Sequence, residues 1–173
     1  MKYAGINKND FVNGKGVCVS VWTQGCPFHC EGCHNSETWD FEGGIEKDKE
    51  ELILETIEAI AANGIQRNLS ILGGEPLCPE NVDFVNELIN RVRFEYPNIT
   101  ILLWTGYDFA TLSKNHLRIG KLYLQNIDIL ITGLYDCTQR DVTLPLRGSH
   151  NQEIWIWNPA SDAFENHTNN YPN

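Results

Sequence analysis

Long apolar runs are missing from this 173-residue chain. None reaches the roughly eighteen residues needed to cross a bilayer, so no membrane span is expected. Behind the N-terminal Met1-Lys2-Tyr3-Ala4-Gly5 there is no apolar signal core, and the expected location is cytoplasmic. Basic residues are scarce: 13 Lys and Arg stand against 23 Asp and Glu, a net charge of −10. No clustered Lys/Arg run relieves that balance. An acidic surface repels phosphate backbones, so nucleic-acid binding is not expected. Internal repeats and low-complexity linkers are absent too. What is present is enough apolar material for a core: 42% hydrophobic and 10% aromatic residues exclude a disordered chain. The length is that of one domain. We expect that domain over residues 1–157, followed by a loosely ordered, Asn- and Pro-rich tail over 158–173.

Strand and helix patterns alternate along the chain. Val17 to Trp22 is β-branched and reads as a buried strand. Asp48 with Glu51 three residues later predicts a helix start, with Ile53, Ile57, Ile60 and Ala61 on one face and Gly64 as its stop. Leu69 to Leu72 is a short apolar strand. A second helix is predicted from near Pro79-Glu80, with Val85, Leu88, Ile89, Val92 and Tyr96 on one face and Pro97 ending it. Ile99 to Trp104 is a third strand, Asp108 to Gln125 a weaker helical stretch, Ile127 to Ile131 a fourth strand, and Glu153 to Trp157 an edge strand. This alternation predicts an α/β fold with a mainly parallel sheet. In such sheets, sites form at the carboxyl ends of the strands. Four glycine-bearing turns fall there: Gly25-Cys26, Gly73-Gly74-Glu75-Pro76, Thr105-Gly106-Tyr107 and Thr132-Gly133.

Six cysteines are present, and Cys26, Cys30 and Cys33 crowd into eight residues. Without a secretion signal, such crowding points to an inorganic centre rather than to disulfides. A Cys-x3-Cys-x2-Cys spacing on a loop lets three thiolates converge, with no fourth ligand nearby. Cubane iron–sulfur clusters normally take four cysteines, so one position would stay open for substrate. The same residues also suit a zinc site completed by His29 or His34. In Gly73-Gly74-Glu75 the glycines let the backbone approach a ligand, and the carboxylate can accept a hydrogen bond from an ammonium group.

Together these motifs resemble the radical S-adenosylmethionine (SAM) superfamily. The resemblance narrows over Phe11 to Trp157, through Phe11-Val12-Asn13-Gly14-Lys15-Gly16, Gly32-Cys33-His34-Asn35-Ser36-Glu37-Thr38-Trp39, Trp104-Thr105-Gly106-Tyr107 and Arg147-Gly148-Ser149-His150-Asn151-Gln152. These segments are similar to the family that activates anaerobic ribonucleoside-triphosphate reductase. The resemblance implies a shortened, open radical SAM (β/α) partial barrel. It implies a [4Fe–4S] cluster on Cys26, Cys30 and Cys33, and SAM bound by Gly73, Gly74 and Glu75, with Trp104, Thr105 and Tyr107 beside it. The implied activity is reductive cleavage of SAM and abstraction of a hydrogen atom from a backbone glycine of the reductase's large subunit. No catalytic side chain is implied beyond cluster and SAM. The implied electron source is a low-potential donor such as flavodoxin. Departures are Gly32 in place of the superfamily's frequent aromatic residue, and His34 where the subgroup usually has Tyr. Thr132 stands where it commonly has Asp, and Asp136 to Leu144 is a longer stretch.

Other residues keep two readings. Cys18, Cys78 and Cys137 are expected to be core or surface thiols. Arg147 to Gln152 is a candidate docking segment, or a turn that satisfies its own backbone. Trp155 and Trp157 share one side of a strand and serve either core or interface. Two other functions stay open: a small radical SAM enzyme acting on a small molecule, and a non-enzymatic zinc or electron-carrying iron–sulfur module.

Overall fold

A computed structural model describes residues 1–172. Its centre is a mixed eight-stranded sheet in the order β10-β9-β8-β5-β4-β2-β1-β3. The strands are β1 (Lys2–Asp10), β2 (Cys18–Thr23), β3 (Ile45–Glu46), β4 (Asn68–Gly73), β5 (Ile101–Thr105), β8 (Ile129–Thr132), β9 (Glu153–Asn158) and β10 (Ala163–Asn166). A separate two-stranded ribbon pairs β6 (Arg118–Ile119) with β7 (Leu122–Tyr123). The four middle strands β2, β4, β5 and β8 run parallel, and the outer pairings are antiparallel. Among the described residues the three α-helices are α1 (Lys49–Ile60), α2 (Val82–Glu95) and α3 (Phe109–Lys114). Among the described residues, no helix is long and apolar enough to cross a membrane.

The period-two alternation of strands sorts the side chains between two faces. Val19, Val21, Leu69, Ile71, Ile101, Leu103 and Leu130 meet the helices in the main core. Cys18, Leu102, Ile129, Ile131 and Ile154 form a smaller cluster on the opposite face, which carries no helix. Helix α2 shows why the pattern folds this way. Its stripe of Val85, Leu88, Ile89 and Val92 is fully buried, and trimming Leu88 to Ala would cost about 2–5 kcal/mol. Helix α1 starts as its sequence predicts: the Asp48 side chain accepts the Glu51 N–H at 3.1 Å.

Several expectations need correction. The helical stretch expected over Asp108 to Gln125 ends at Lys114, because His116 and Leu117 adopt φ of 53° and the chain turns into the β6–β7 ribbon. The strand at Glu153 is not an edge: β10 pairs outside it, so residues 163–166 of the expected loose tail are part of the sheet. Strand β1 carries Lys, Asn and Asp, too polar to read as a strand, yet it pairs along β2. Trp155 and Trp157 are partly buried and pack against the core. Trp155 stacks on Phe109 with ring centroids 3.7 Å apart, and Trp157 meets Phe164 edge-on at 5.1 Å.

Candidate functional site

The carboxyl ends of the four parallel strands open onto a cavity of about 350 Å³. Cys26, Cys30, Cys33, Gly73, Gly74, Glu75, Trp104 and Thr105 all line it. They come from three separate strand ends, joined because β2, β4 and β5 lie side by side in parallel. Tyr107 is not on this wall. Its ring lies edge-on against Phe28 at 5.0 Å, and it is Phe28 that faces the cavity.

The cysteine loop is held from both sides. The Gly25 N–H donates to the Thr38 carbonyl at 2.8 Å, and the Cys26 N–H to that of Trp39 at 3.0 Å. Buried Asn81 reaches across from the start of α2 and donates to the carbonyls of Gln24 at 2.9 Å and Glu75 at 3.0 Å. This residue escaped the sequence reading: an Asn before a helix reads as a cap, but here its amide locks two site loops together. His29 turns the loop at φ 48° and Gly32 at φ 71°. A side chain at Gly32 would press on Cys137 at 3.2 Å, which accounts for glycine before the third cysteine.

Burial pushes the Cys26 thiol up in pKa, offset in part by hydrogen bonds from the Phe28 and His29 N–H groups. Cys30 is likewise pushed up by burial, and the Tyr135 N–H works in the opposite sense. N–H groups aimed at sulfur are what cluster thiolates use to stabilise their charge. Among the described residues, no three His, Cys, Asp or Glu side chains converge closely enough to hold one metal ion. A single zinc requires its thiolates within about 4 Å of one another, whereas a cubane places each on a different iron. Three cysteines on one wall, with N–H groups beside Cys26 and Cys30, fit a cubane with one iron left open.

Glu75 lines the cavity from a buried position. The side chain is only 1% exposed. Its Oε1 accepts the Leu77 N–H at 2.9 Å and the Thr105 hydroxyl at 2.8 Å, and its Oε2 accepts the Gly106 N–H at 2.7 Å. Burial pushes its pKa up to about 7 against those three donors. The carboxylate is thus engaged within the protein, tying the end of β4 to the end of β5. The backbone beside it shares the same cavity wall. Gly73 has φ 109°, and a Cβ there would strike the Thr23 carbonyl at 2.6 Å. A Cβ on Gly74 would overlap the carbonyl of Gly25.

On the far wall, the Trp104 indole donates to the Leu146 carbonyl at 2.8 Å. Arg147 to Gln152 is a self-bonded turn. The Gln152 Oε1 accepts the Gly148 N–H at 2.9 Å, and its Nε2 donates to the Gly133 carbonyl at 3.0 Å. Thr132 is buried with an unpartnered hydroxyl and does not line the cavity. Cys18 and Cys78 are buried away from the cavity, and burial pushes them up to about 11 and about 12.

The chain matches the family model described as a 4Fe-4S single cluster domain over residues 12–155. Three relatives are each named anaerobic ribonucleoside-triphosphate reductase-activating protein. That of Vibrio cholerae is 35% identical over 147 residues, 84% of this chain and 91% of the relative. That of Pasteurella multocida is 33% identical over 156 residues, covering 90% and 97%. That of Enterobacteria phage T4 is 32% identical over 158 residues, covering 90% and 94%. With a cysteine-walled cavity at its strand ends and these matches along most of its length, the chain belongs to the family of anaerobic ribonucleoside-triphosphate reductase-activating proteins, which carry a 4Fe-4S single cluster domain.

Proposed function

We propose that this protein is the glycyl-radical activase of an anaerobic ribonucleoside-triphosphate reductase. In this reading Cys26, Cys30 and Cys33 hold the [4Fe–4S] cluster, and SAM occupies the adjoining cavity. The observation that carries it is the shared wall: three cysteines and the Gly73–Gly74 turn face one space of about 350 Å³. Bound together, reduced cluster and SAM supply an electron to cleave SAM and a radical able to take a hydrogen atom from a glycine Cα.

The chain's own residues bind, orient and enclose. Gly73 and Gly74 bring backbone close to the ligand, free of any Cβ. Glu75, held by Thr105 and Gly106, fixes that turn against the end of β5. Trp104 offers an aromatic face beside Thr105 for a planar base. Phe28 separates Tyr107 from the cavity. Strands β2, β4, β5 and β8, with all helices on one face, form the shortened, open radical SAM partial barrel of this reading. The domain of this reading, expected over residues 1–157, takes in the β10 segment of the tail as well. Its partners are the reductase's large subunit and a low-potential electron donor such as flavodoxin, and its location is cytoplasmic.

The test is anaerobic reconstitution with iron and sulfide, followed by reductant, SAM and the reductase. A glycyl-radical doublet should appear in the electron paramagnetic resonance spectrum and vanish when the reductase's glycine is changed to Ala. SAM cleavage without any radical on that partner would leave a radical SAM enzyme with another substrate.

A further inference from the structure

We propose that the C-terminal segment from His167 to Tyr171 is a strap that positions the cavity wall formed by Trp104, Leu146 and Arg147. The proposal rests on reading the cavity as the SAM site. This segment lies beyond residue 155, where the match to the family model ends, so nothing in that match accounts for it.

Three sets of contacts carry the inference. The strap is registered on β9: the His167 N–H donates to the Ile154 carbonyl at 2.8 Å, and the Ile154 N–H donates to the Thr168 hydroxyl at 3.0 Å. It then grips the wall directly. The Thr168 carbonyl accepts from Arg147 Nη2 at 3.1 Å, while Arg147 Nη1 donates to the Gln152 carbonyl at 3.0 Å. Finally, Tyr171 packs on the helix-free face of the sheet. There it joins Cys18, Leu102, Ile129, Ile131 and Ile154, alongside Trp104 and Leu146.

The physical argument concerns what this face lacks. The helices cover only the opposite side of the sheet, and an open α/β layer must bury its second apolar face against something. Here the cover includes the chain's own tail: Tyr171 packs on the same small cluster that Trp104 and Leu146 pack on, and those two also line the cavity. Arg147 is the one permanently cationic side chain on that wall among the described residues. Among the described residues it pairs with no carboxylate, and its Nε is buried without a partner. Two backbone carbonyls therefore fix where this charge sits, and one of them belongs to the strap. Loosening the strap removes one of the two carbonyls that hold the guanidinium and uncovers the cluster on which Trp104 and Leu146 rest. The cysteines, on the other side of the cavity, are held by contacts that do not involve it.

The experiment compares full-length Tyr171→Ala, Thr168→Val and Tyr171→Phe with a helix-side control, Ile60→Val. After cluster reconstitution, iron content, SAM affinity by equilibrium dialysis and backbone amide exchange are measured on each. Tyr171→Ala should weaken SAM binding about tenfold, speed exchange at Leu146, Gln152 and Ile154, and leave iron content unchanged. Tyr171→Phe, which keeps the packing, should bind SAM like the parent. Thr168→Val, a smaller disturbance, serves where Tyr171→Ala fails to fold, and should show the same pattern more weakly. SAM affinity unchanged in both loosened variants, with melting lowered as in Ile60→Val, would reduce the strap to a general stabiliser and overturn the proposal. If the parent binds no SAM, the reading of the cavity falls, and amide exchange alone decides: faster exchange at those three positions upholds the strap, unchanged exchange overturns it.

Discussion

The carboxylate of Glu75 accepts the backbone N–H of Gly106 at 2.7 Å, joining the turn after β4 to the turn after β5. The bond makes Glu75 a positioning residue. Both its oxygens accept hydrogen bonds inside the protein, while the residue itself lines the cavity. In Glu75→Gln one oxygen becomes an NH2 group that must face the Gly106 N–H, or else the Leu77 N–H and Thr105 hydroxyl. A buried donor against a donor costs about 1–3 kcal/mol. For a chain of this size that lowers the melting temperature by about 2–4 °C per kcal/mol. Calorimetry on the parent and variant checks it. An unmoved melting temperature with SAM binding abolished would return the carboxylate to the ligand.

A second prediction concerns the two glycines before it. A Cβ at Gly74 would overlap the Gly25 carbonyl, backbone against backbone, so Gly74→Ala must push the cysteine loop away from the turn. Overpacking of this kind costs about 1–3 kcal/mol. Gly5→Ala, where nothing lies within 4 Å, is the matched control and should melt like the parent. Equal melting curves for the two variants would contradict the tight approach.

The third concerns the cysteines. Cys26→Ala, Cys30→Ala and Cys33→Ala should each abolish cluster assembly, because three anchors already leave one iron without a protein ligand. Cys18→Ala and Cys78→Ala should retain it, since both thiols are buried away from the cavity. Cys137→Ala is the sharpest control, because its Cβ lies against Gly32 inside the cysteine loop. Iron and sulfide content after reconstitution decides each case. Loss of the cluster in Cys137→Ala would enlarge the ligand set.

Much of this site was legible in the sequence, for a definite reason. Short-range spacing showed the three cysteines, and the βα rhythm placed Gly73–Glu75 and Trp104–Thr105 at neighbouring strand ends. The illegible parts depend on partners far apart in the chain. The Thr105 hydroxyl occupies Glu75 from 30 residues away, and Asn81 reaches Gln24 across 57. No local pattern encodes either bond. Tyr107 follows Thr105 by two positions, yet the turn at Gly106 carries it behind Phe28. The fold misled in the same manner. Strand β1 is polar and β10 is short, and each becomes a strand because a neighbouring edge offers its backbone groups. The cofactor pair was not readable from spacing alone. It came from resemblance, which is why Cys26, Cys30 and Cys33 first left zinc open as well.

The last prediction concerns the loop that carries Phe11 and Val12. These side chains are 72% and 81% exposed, and Val12 lies at the cavity. The loop is nonetheless pinned. The Asp10 Oδ1 accepts the Val12 N–H at 2.8 Å and the Asn13 N–H at 3.0 Å, while its Oδ2 accepts from the Asn13 amide at 2.9 Å. Further along, the Ser70 hydroxyl donates to the Asn13 carbonyl, and Asn68 donates to that of Lys15 at 2.7 Å. Burial pushes the Asp10 pKa up, but the Asn13 and Val12 donors outweigh it and hold the carboxyl below the ordinary 3.8. A carboxyl depressed in the folded state stabilises the protein above its unfolded pKa, and that contribution fades as pH falls through the folded value. Asp10→Ala should therefore cost about 1–2 kcal/mol at neutral pH, with two backbone donors left to water. The difference from the parent should stay level down to about pH 5 and shrink below about pH 4. Denaturant unfolding of both proteins across that range measures it, and amide exchange at Val12 and Asn13 should rise in the variant while iron content after reconstitution holds. A difference in stability that is the same at pH 7 and pH 3 would mean that the Asp10 charge does not hold this loop.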